Sequence, residues 1–359
     1  MIIKNKISFY TKYNLRSASV RERFVNYIPY LKKNKFEIEF HPLINDRLFE
    51  ARILNEKKFS IMLFISIIKR ILLILFQKKR LIVIQYELLP YFPPFLESYL
   101  NLRKIPYIID IDDAIFHNYD KSENFFVKLL FKKKFNKIFS NAKLVFAGNE
   151  YLLKKSKKLG AKKVHLFPTL VNLKKNFTIK KNQKKKNEFN IVWIGSPSTT
   201  KYIDDIKHII EKISNEHDIK FTIIGSKNSL IRPSKNIKFL DWNLKSEDKW
   251  ISRCDIGIMP LRNSFWEKGK CGYKLLKYMK NELPILASPV GVNKIILDHG
   301  VNGYFINKIS EWEKYILKIK NDKKLRIKLG KNGRKKIFKD FSIINYQEKY
   351  FNIINNLNI

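Results

Sequence analysis

Short apolar runs alternate with longer amphipathic segments along almost the whole chain of 359 residues. The runs have the length and the β-branched composition of strands, and the segments between them have the apolar period of helices. Strands that are separated by helices form parallel sheets, because each crossover needs a dozen or more residues. The pattern therefore predicts an α/β fold built from doubly wound, Rossmann-like sheets.

Eleven apolar runs are predicted to be strands, five in the first half of the chain and six in the second. They are residues 6–10, 36–43, 81–87, 106–112, 143–148, 189–195, 219–225, 236–240, 254–260, 283–288 and 303–306. We expect two domains, 1–171 and 189–340, which face each other across a cleft and are joined by a lysine-rich linker at 172–188. A C-terminal helix at 341–359 follows, and its packing back on the first domain is left open.

The formal net charge of +40 leaves four explanations open. Nucleic acid, an anionic membrane surface and a phosphorylated small molecule all attract a basic protein. The fourth is a bias of composition, because most basic residues are Lys in a chain that is rich in Ile and Asn. No RNP, KH, zinc-finger or helix-turn-helix pattern is present, so nucleic acid is the least favoured partner.

The two cysteines, Cys254 and Cys271, form no CxxC pair and no metal-binding pattern with histidine. This usage indicates a reducing compartment, and it argues against a disulfide framework or a zinc site. The N-terminus has no long apolar core and is expected to form the first strand rather than a signal peptide. A cytoplasmic protein is the simplest interpretation.

The segment 59–76 has nearly the length and the apolar content of a membrane-spanning helix, but Lys69 and Arg70 lie inside it. Two charges near the centre of a bilayer are unfavourable, so we do not expect it to span. Two interpretations stay open. The helix packs on a domain surface, or it lies in the interface of an anionic membrane.

The stretch FNIVWIGSPSTTKYIDDI, residues 189–206, passes from a strand to a helix through a glycine and several hydroxyl side chains. Such a loop points backbone N–H groups and the positive end of the helix dipole toward its mouth. These features predict binding of a phosphate or diphosphate, although an ordinary helix cap without a ligand stays an alternative. The predicted contacts are Gly195, Ser196, Ser198, Thr199 and Lys201.

A second cluster, within residues 262–293, gathers cations and glycines directly ahead of a helix. Its members are Lys268, Gly269, Lys270, Gly272 and Lys274. Glycine lets a backbone approach a ligand closely, and another glycine turn follows the strand at 283–288. A solvated basic helix face would explain the lysines but not the glycines, so the cluster favours an anion site.

The second half of the chain resembles the family 4, or group 1, glycosyltransferases of the GT-B fold. The resemblance lies in VWIGSPSTTKYI (192–203), DWNLKSEDKWISRCDIGIMPL (241–261), KLLKYMKNELPILASPVGVNKIILDHGVNGYFI (274–306) and LRIKLGKNGRKKIFKDFS (325–342). In the first half, SVRERFVNYIPYL (19–31), YELLPYFPPFLE (86–97), DIDDAIF (110–116) and GNEYLLKKSKKLGAKKVHLFPTLV (148–171) are similar to a bacterial subgroup of surface-polysaccharide assembly.

The resemblance implies a retaining transfer of sugar from a nucleoside-diphosphate sugar, without an obligatory metal or other cofactor. It implies a lipid-linked or polysaccharide acceptor, as in lipopolysaccharide or capsule synthesis, and peripheral association with the inner face of the membrane. A GT-B epimerase or phosphorylase stays an alternative. Lys201 and Lys270 are expected to stabilise the leaving diphosphate. The other expected donor contacts are Trp242, Glu267, Lys268, Gly272, Tyr273, Lys274, Lys277, Gly291, Val292 and Asn293.

The chain departs from the family at two glutamates that most members carry about eight residues apart. One contacts the donor sugar and the other the ribose. The corresponding positions here are Gly269 and Lys277, and Glu267 is the candidate to replace the first glutamate. The departure leaves the identity of the donor open.

Asp110, Asp112 and Asp113 stand at the end of the predicted strand 106–112. In many relatives this turn carries a His-Asp pair near the acceptor, and Asp112 stands at the histidine position. Three roles remain open: binding of a substrate hydroxyl, capping of the next helix, and a metal site, of which the last is the weakest. Asp112 and Asp113 are expected to be catalytic, and Arg21, Glu87 and Asp110 to line the acceptor side.

Three arginines, Arg16, Arg21 and Arg23, frame the serine-containing loop at 17–19. Relatives of the subgroup carry a comparable loop that faces the donor phosphates. A plain helix start with surface arginines is an equal alternative. His117 is expected at the surface.

Overall fold

The computed structural model describes residues 5–15, 17–53, 58–173, 188–226 and 229–357. These residues form two parallel six-stranded sheets, which confirms the α/β prediction. The chain divides into two compact units. Unit 1 comprises Met1–Asn172, Lys268–Cys271 and Ile343–Ile359, and unit 2 comprises Leu173–Glu267 and Gly272–Ser342. Most of the expected linker, residues 174–187, lies outside the described residues.

Unit 1 contains a parallel sheet with the strand order β2-β1-β3-β4-β5-β6. Its strands are β1 (Lys6–Tyr13), β2 (Glu37–Ile44), β3 (Leu81–Gln85), β4 (Tyr107–Ile111), β5 (Leu144–Ala147) and β6 (Val164–Leu166). Its helices are α1 (Ala18–Arg23), α2 (Ile28–Lys33), α3 (Asp46–Ile53), α4 (Phe59–Leu75), α5 (Phe95–Leu102), α6 (His117–Asp120), α7 (Phe125–Phe131), α8 (Lys134–Asn141) and α9 (Glu150–Lys158). The central strands β3 and β4 are buried along their whole length, as expected when helices cover both faces of a sheet.

Unit 2 contains a parallel sheet with the strand order β12-β11-β10-β7-β8-β9. Its strands are β7 (Phe189–Ile194), β8 (Ile219–Ile224), β9 (Ile237–Leu240), β10 (Ile256–Met259), β11 (Ile285–Ala287) and β12 (Gly303–Phe305). Its helices are α10 (Thr200–Asp204), α11 (Lys207–Glu216), α12 (Glu247–Ile251), α13 (Phe265–Lys268, whose last residue belongs to unit 1), α14 (Tyr273–Lys280), α15 (Asn293–Ile296), α16 (Ser310–Asn321) and α17 (Lys323–Asp340). The order of the strands reverses at β7, which lies between β8 and β10. Ligands of doubly wound sheets bind at the carboxyl ends of the strands at such a reversal.

The end of the chain is part of unit 1. Helix α18 (Gln347–Asn355) contributes Tyr350, whose ring stacks on Tyr27 with 4.1 Å between the ring centroids. The ring of Phe146 lies 5.3 Å from Tyr350 on another side, and Ile343 N–H donates to the Val171 carbonyl. Aromatic packing therefore stabilises residues 343–357 against the first sheet.

Two helices that the apolar pattern predicts as continuous are interrupted. The predicted helix at 123–140 is divided into α7 and α8, and the one at 201–214 into α10 and α11. Cys254 and Cys271 are both free thiols. Among the described residues, every helix is too short or too polar to cross a bilayer.

Candidate functional site

The loop that follows β7 presents hydroxyl groups to solvent at the carboxyl end of that strand. Ser196 N–H donates to Thr199 Oγ1 over 3.1 Å, and the Oγ atoms of Ser196 and Ser198 are 3.0 Å apart. A short 3₁₀ turn, Pro197–Thr199, follows and leads into α10. The predicted loop contacts of unit 2 are thus held together by a local capping arrangement.

Glycine at position 195 lets the loop close over the β7 tryptophan. A Cβ atom at this position would lie 2.2 Å from the Trp193 ring and 2.6 Å from Thr199 Oγ1. Both distances are far below van der Waals contact, so a larger residue would displace the hydroxyl. Packing therefore explains why a glycine stands between the strand and the hydroxyl residues in the sequence.

Lys274 brings a positive charge to this loop. It lies in the first turn of α14, and its Nζ is 3.4 Å from Thr199 Oγ1 and 4.3 Å from the centroid of the Trp193 ring. Gly272, with φ of +69°, is the N-cap residue of α14. Hydroxyls, a cation and a helix start together suit a phosphate oxygen.

The turn at Gly291–Asn293 packs behind α14. A Cβ atom on Gly272 would lie 2.3 Å from Ile296 Cδ1 and 3.0 Å from Val292 Cγ1. Asn293 is buried, and its amide donates to the Ser288 carbonyl over 3.0 Å. Gly291 has φ of +53°, a value that favours glycine. The three predicted turn residues therefore position α14, and through it Lys274.

Glu267 is enclosed by protein groups of unit 2. Its carboxylate accepts hydrogen bonds from Tyr202 Oη over 2.5 Å and from Ser264 Oγ. Burial would raise its pKa, but the hydrogen bonds from Ser264 and Tyr202, with a smaller effect of Lys201, bring the pKa of Glu267 below its ordinary value. Glu267 is therefore an ionised, oriented carboxylate, and Lys201 contributes to its charged surroundings.

Lys277, predicted to contact the donor, is engaged by two carboxylates from α12. Its Nζ lies 2.7 Å from Glu247 Oε1 and 2.9 Å from Asp248 Oδ1. Lys280 Nζ binds the other oxygen of Asp248 at 2.9 Å, and Trp242 Nε1 donates to Glu247. Despite burial, Lys277 and Lys280 hold the pKa of Asp248 at about 2. Trp242 and Lys277 thus belong to a partly buried cluster of ion pairs and hydrogen bonds.

Sequence reasoning missed the acidic half of this cluster. Glu247 and Asp248 stand in the first turn of α12, where acidic residues are common for the helix dipole alone. Their partners follow about 30 residues later in the chain. The only signal was the pair of cations at positions 277 and 280 on one helix, which needs counter-charges once it is buried.

In unit 1, Arg23 rather than Arg21 binds an aspartate. Arg23 forms two hydrogen bonds to Asp110 and donates to the Phe167 carbonyl over 2.8 Å. Both charged side chains are buried. Arg21 donates instead to the carbonyl of Leu15 over 2.8 Å. Asp110, expected on the acceptor side, is therefore the partner of a buried guanidinium.

Asp112 follows β4 and accepts a hydrogen bond from Tyr86. Burial raises the pKa of the Asp112 carboxyl to about 7; the Arg23 guanidinium opposes this effect, and the Asp113 charge adds to it. Tyr86 has φ of +63°, a strained value for a residue with a Cβ atom. Asp113 retains 34% side-chain exposure and lies 3.8 Å from Lys270 Nζ.

The segment Lys268–Cys271 is held by unit 1. The side-chain amide of Asn149 donates to the carbonyls of Lys268 and Lys270 over 3.2 and 2.9 Å. A Cβ atom on Gly269 would lie 2.5 Å from Ala114 Cβ, so glycine permits a close approach. Lys270 therefore lies beside Asp113 in unit 1.

Glu87 and His117 both contact other side chains of unit 1. Glu87 lies 2.5 Å from Lys134 Nζ and accepts from Tyr119 Oη over 2.8 Å. The expectation that His117 lies at the surface is wrong, since it is buried and its two ring nitrogens lie 2.6 Å from Asp120 and from Tyr151. Helix α6 packs it inward.

Three side chains that could together bind a metal ion lie in unit 2. Among the described residues, the group of acidic and histidine ligands close enough for one ion is Glu216, His217 and Glu313. Lys212 lies 2.8 Å from Glu313 and supplies a positive charge there already.

Residues 188–322 match the family described as glycosyl transferases group 1. No curated protein matches the chain in sequence. Sucrose-phosphate synthase from Thermosynechococcus elongatus is similar in structure, with a TM-score of 0.68 and 12% identity over 99% of each chain. HepE from Anabaena, solved with UDP and glucose, has a TM-score of 0.67 and 11% identity, over 97% of this chain and 99% of that one.

TarM from S. aureus also shares the fold, with a TM-score of 0.56 and 14% identity. The match covers 77% of this chain and 55% of TarM, so the chain spans about half the length of that protein. At such identities the structural likeness concerns the arrangement of strands and helices. The match to the family in sequence covers residues 188–322.

Proposed function

We propose that this chain, a glycosyltransferase with the GT-B fold whose residues 188–322 match the group 1 family, moves a sugar, with retention of anomeric configuration, from a nucleoside-diphosphate sugar to a lipid-linked or polysaccharide acceptor. The observation that carries the donor part is Lys274 Nζ at 3.4 Å from Thr199 Oγ1, beside the hydroxyls that follow β7. The structure of HepE with UDP and glucose supports this assignment of the ligand class.

The diphosphate binds at the start of the 3₁₀ turn and α10 in unit 2. Backbone N–H groups and the hydroxyls of Ser196, Ser198 and Thr199 donate to phosphate oxygens, and Lys274 supplies a positive charge. Negative charge develops on the diphosphate as the glycosidic bond breaks, and oriented donors that are already in place stabilise it. Cationic side chains fulfil this task, so the reaction we propose needs no metal ion.

Asp112 and Asp113 of unit 1 bind the acceptor. Asp113, which keeps partial exposure, is the carboxylate that can bind a substrate hydroxyl, and Lys270 lies beside it. The neighbouring Asp112 accepts a hydrogen bond from Tyr86, which orients its carboxyl group. A carboxyl group whose pKa is near neutrality can exchange a proton with a hydroxyl, which supports Asp112 and Asp113 as the catalytic pair of unit 1.

We place the enzyme at the cytoplasmic face of an anionic membrane, in the synthesis of a surface glycan. Helix α4 supports this, because its solvent side carries apolar residues. They are Ile61, Phe64, Ile65, Ile68 and Leu72, all of them exposed. The inner side of α4 carries Arg70, whose guanidinium donates to the carbonyls of Thr11 and His41. An ordinary surface helix buries its apolar face and exposes its polar face, and α4 has the opposite arrangement.

Binding of UDP and GDP to the Lys274→Ala variant tests the donor site. We expect a loss of roughly tenfold to a hundredfold in affinity, the value of a hydrogen bond to a charged group. Lys235→Ala, an exposed lysine elsewhere in unit 2, is the matched control. Calorimetry measures both, and equal affinity in the two variants would contradict the proposed diphosphate site.

A further inference from the structure

Helix α7 exposes large apolar side chains around most of its circumference. Phe125, Phe126 and Leu130 are 69–70% exposed and Leu129 is 56% exposed. No residue of α7 is buried. A seven-residue helix with no buried residue of its own gains little stability from packing, and four exposed apolar residues within two turns are unusual on a soluble surface. The helix is suited to an environment that covers these residues.

Contacts through the buried Tyr119 and through α5 link α7 with α4 within unit 1. The ring of Phe131, the last residue of α7, lies 6.0 Å from Tyr119, and Tyr119 lies 5.5 Å from the exposed Tyr91. Tyr91 precedes α5, whose Tyr99 donates to the carbonyl of Leu75 at the end of α4. Aromatic side chains and α5 therefore connect the two apolar helices.

Exposed lysines surround both apolar helices. Between residues 121 and 137 the exposed lysines are Lys121, Lys128, Lys132, Lys133 and Lys137. Glu123 is the acidic residue in that range. Around α4 the exposed lysines are Lys58, Lys69, Lys78 and Lys79, with no acidic residue between positions 58 and 80. A partner for this surface must therefore be apolar in its interior and negative at its boundary.

An anionic bilayer meets both conditions. A second copy of the chain would bring the same formal charge of +40 and would be repelled. A folded protein partner needs a rigid, complementary surface, whereas α7 has no buried residue to fix its position. Lipid headgroups and acyl chains adapt to any amphipathic shape, and basic residues beside aromatic and leucine side chains are typical of interfacial helices.

We propose that α7 is a second membrane-inserting element of unit 1, which acts together with α4 on a bilayer of anionic lipid. The proposal rests on the membrane location given under the proposed function and adds the element that carries it. Phe125, Phe126, Leu129 and Leu130 enter the boundary between headgroups and acyl chains, and the lysines contact lipid phosphates.

Sedimentation of the full-length chain with phosphatidylglycerol-containing vesicles tests the proposal. The α7 variant carries Phe125→Ser, Phe126→Ser, Leu129→Ser and Leu130→Ser. The matched control replaces four exposed apolar residues of unit 2: Leu230→Ser, Leu244→Ser, Ile295→Ser and Ile309→Ser. We expect the α7 variant to partition at least about tenfold less than the wild type, and the control to partition like the wild type. Unchanged UDP affinity in the α7 variant verifies that unit 2 is intact.

A third variant separates this inference from the proposed function. It replaces Ile61, Phe64, Ile65 and Ile68 of α4 with Ser. Loss of vesicle binding in the α4 variant together with wild-type binding in the α7 variant would overturn the role of α7 and leave the membrane location standing. If the wild-type protein does not bind anionic vesicles, both the membrane location and the role of α7 are wrong. UDP binding is measured separately and still tests the proposed transferase activity. Self-association that the α7 substitutions abolish would also overturn the proposal.

Discussion

Burial and charge have opposite effects on the carboxyl groups of Asp110, which lies within β4, and Asp112, which directly follows it. Asp110 is held by the Arg23 guanidinium, whereas Asp112 has a tyrosine hydroxyl as its hydrogen-bond donor. Burial raises the pKa of both carboxyl groups: that of Asp110 lies above its ordinary value although Arg23 opposes the shift, and that of Asp112 rises to about 7. The two groups differ in their hydrogen-bond donors, a guanidinium for Asp110 and a phenol for Asp112.

The raised pKa of Asp112 predicts a pH dependence of stability. The unfolded carboxyl titrates near its ordinary value of about 3.9, so between about pH 4 and about pH 7 the native state binds more protons than the unfolded state. The contribution of Asp112 to stability therefore falls as the pH rises through that window. Asp112→Asn should remove this part of the dependence.

Urea unfolding of the wild type and of Asp112→Asn, from about pH 5 to about pH 7.5, measures the difference in the free energy of unfolding. We expect the wild type to lose stability relative to the variant as the pH rises. Titrating groups that do not interact with Asp112 are common to both proteins and cancel in the difference. Parallel curves would contradict the raised pKa.

Single residues of the site could be predicted where the signal is local. The hydroxyls after β7 and Lys274 stand next to glycines in the sequence, and the structure brings them together. The partners of Lys277 could not be predicted, because ion pairs between α12 and α14 depend on how two helices lie on a sheet. Lys270 likewise belongs to unit 1 through Asn149, a contact across about 120 positions.

At the scale of elements, periodicity predicted eleven of the twelve strands of the described residues. The missing one, β6, has three residues with little burial, so its sequence carries no apolar run. The division between α7 and α8 at residues 132–133 was also missed, since the helical period continues through it. Where a helix is interrupted depends on the elements against which each part packs. The spacing of apolar residues in the sequence carries no information about those elements.

Helix α17 provides a test of element packing with two glycines three residues apart. A Cβ atom on Gly330 would lie 2.0 Å from the Glu282 carbonyl oxygen, whereas one on Gly333 would lie 3.2 Å from the flexible Met279 Cγ. Gly330→Ala should therefore destabilise the protein by about 1–3 kcal/mol, although alanine favours helices.

Gly333→Ala is the matched control for that substitution and should be close to neutral or slightly stabilising. Thermal and urea unfolding of both variants measure the change in the free energy of unfolding. An equal effect at the two positions would show that helix propensity, and not the approach of α17 to the Glu282 carbonyl, decides the outcome.

At the scale of the whole molecule, the division into units differs from the order of the chain. Residues 343–359 follow unit 2 in sequence and belong to unit 1, where Tyr350 packs among aromatic rings. All five tryptophans, by contrast, are in unit 2. Tryptophan fluorescence therefore reports on one unit, and circular dichroism on both.

Tyr350→Ala should destabilise unit 1 by about 3–5 kcal/mol, the usual effect of truncating a large buried aromatic residue. We expect the circular-dichroism transition to move to lower denaturant concentration by more than the tryptophan fluorescence transition does. Ile344→Ala, at an exposed position of the same segment, is the control. Identical shifts of both signals in Tyr350→Ala would show that the two units unfold together.

The four residues Lys268–Cys271 carry a consequence for recombination between enzymes of this architecture. They belong to unit 1, although residues on both sides of them belong to unit 2. A chimera that exchanges residues 173–342 to acquire a new donor preference would import a foreign tetrapeptide against Asn149 and Ala114. Grafts that retain the parental sequence at positions 268–271 should therefore yield folded hybrids more often than exchanges made at a single pair of junctions.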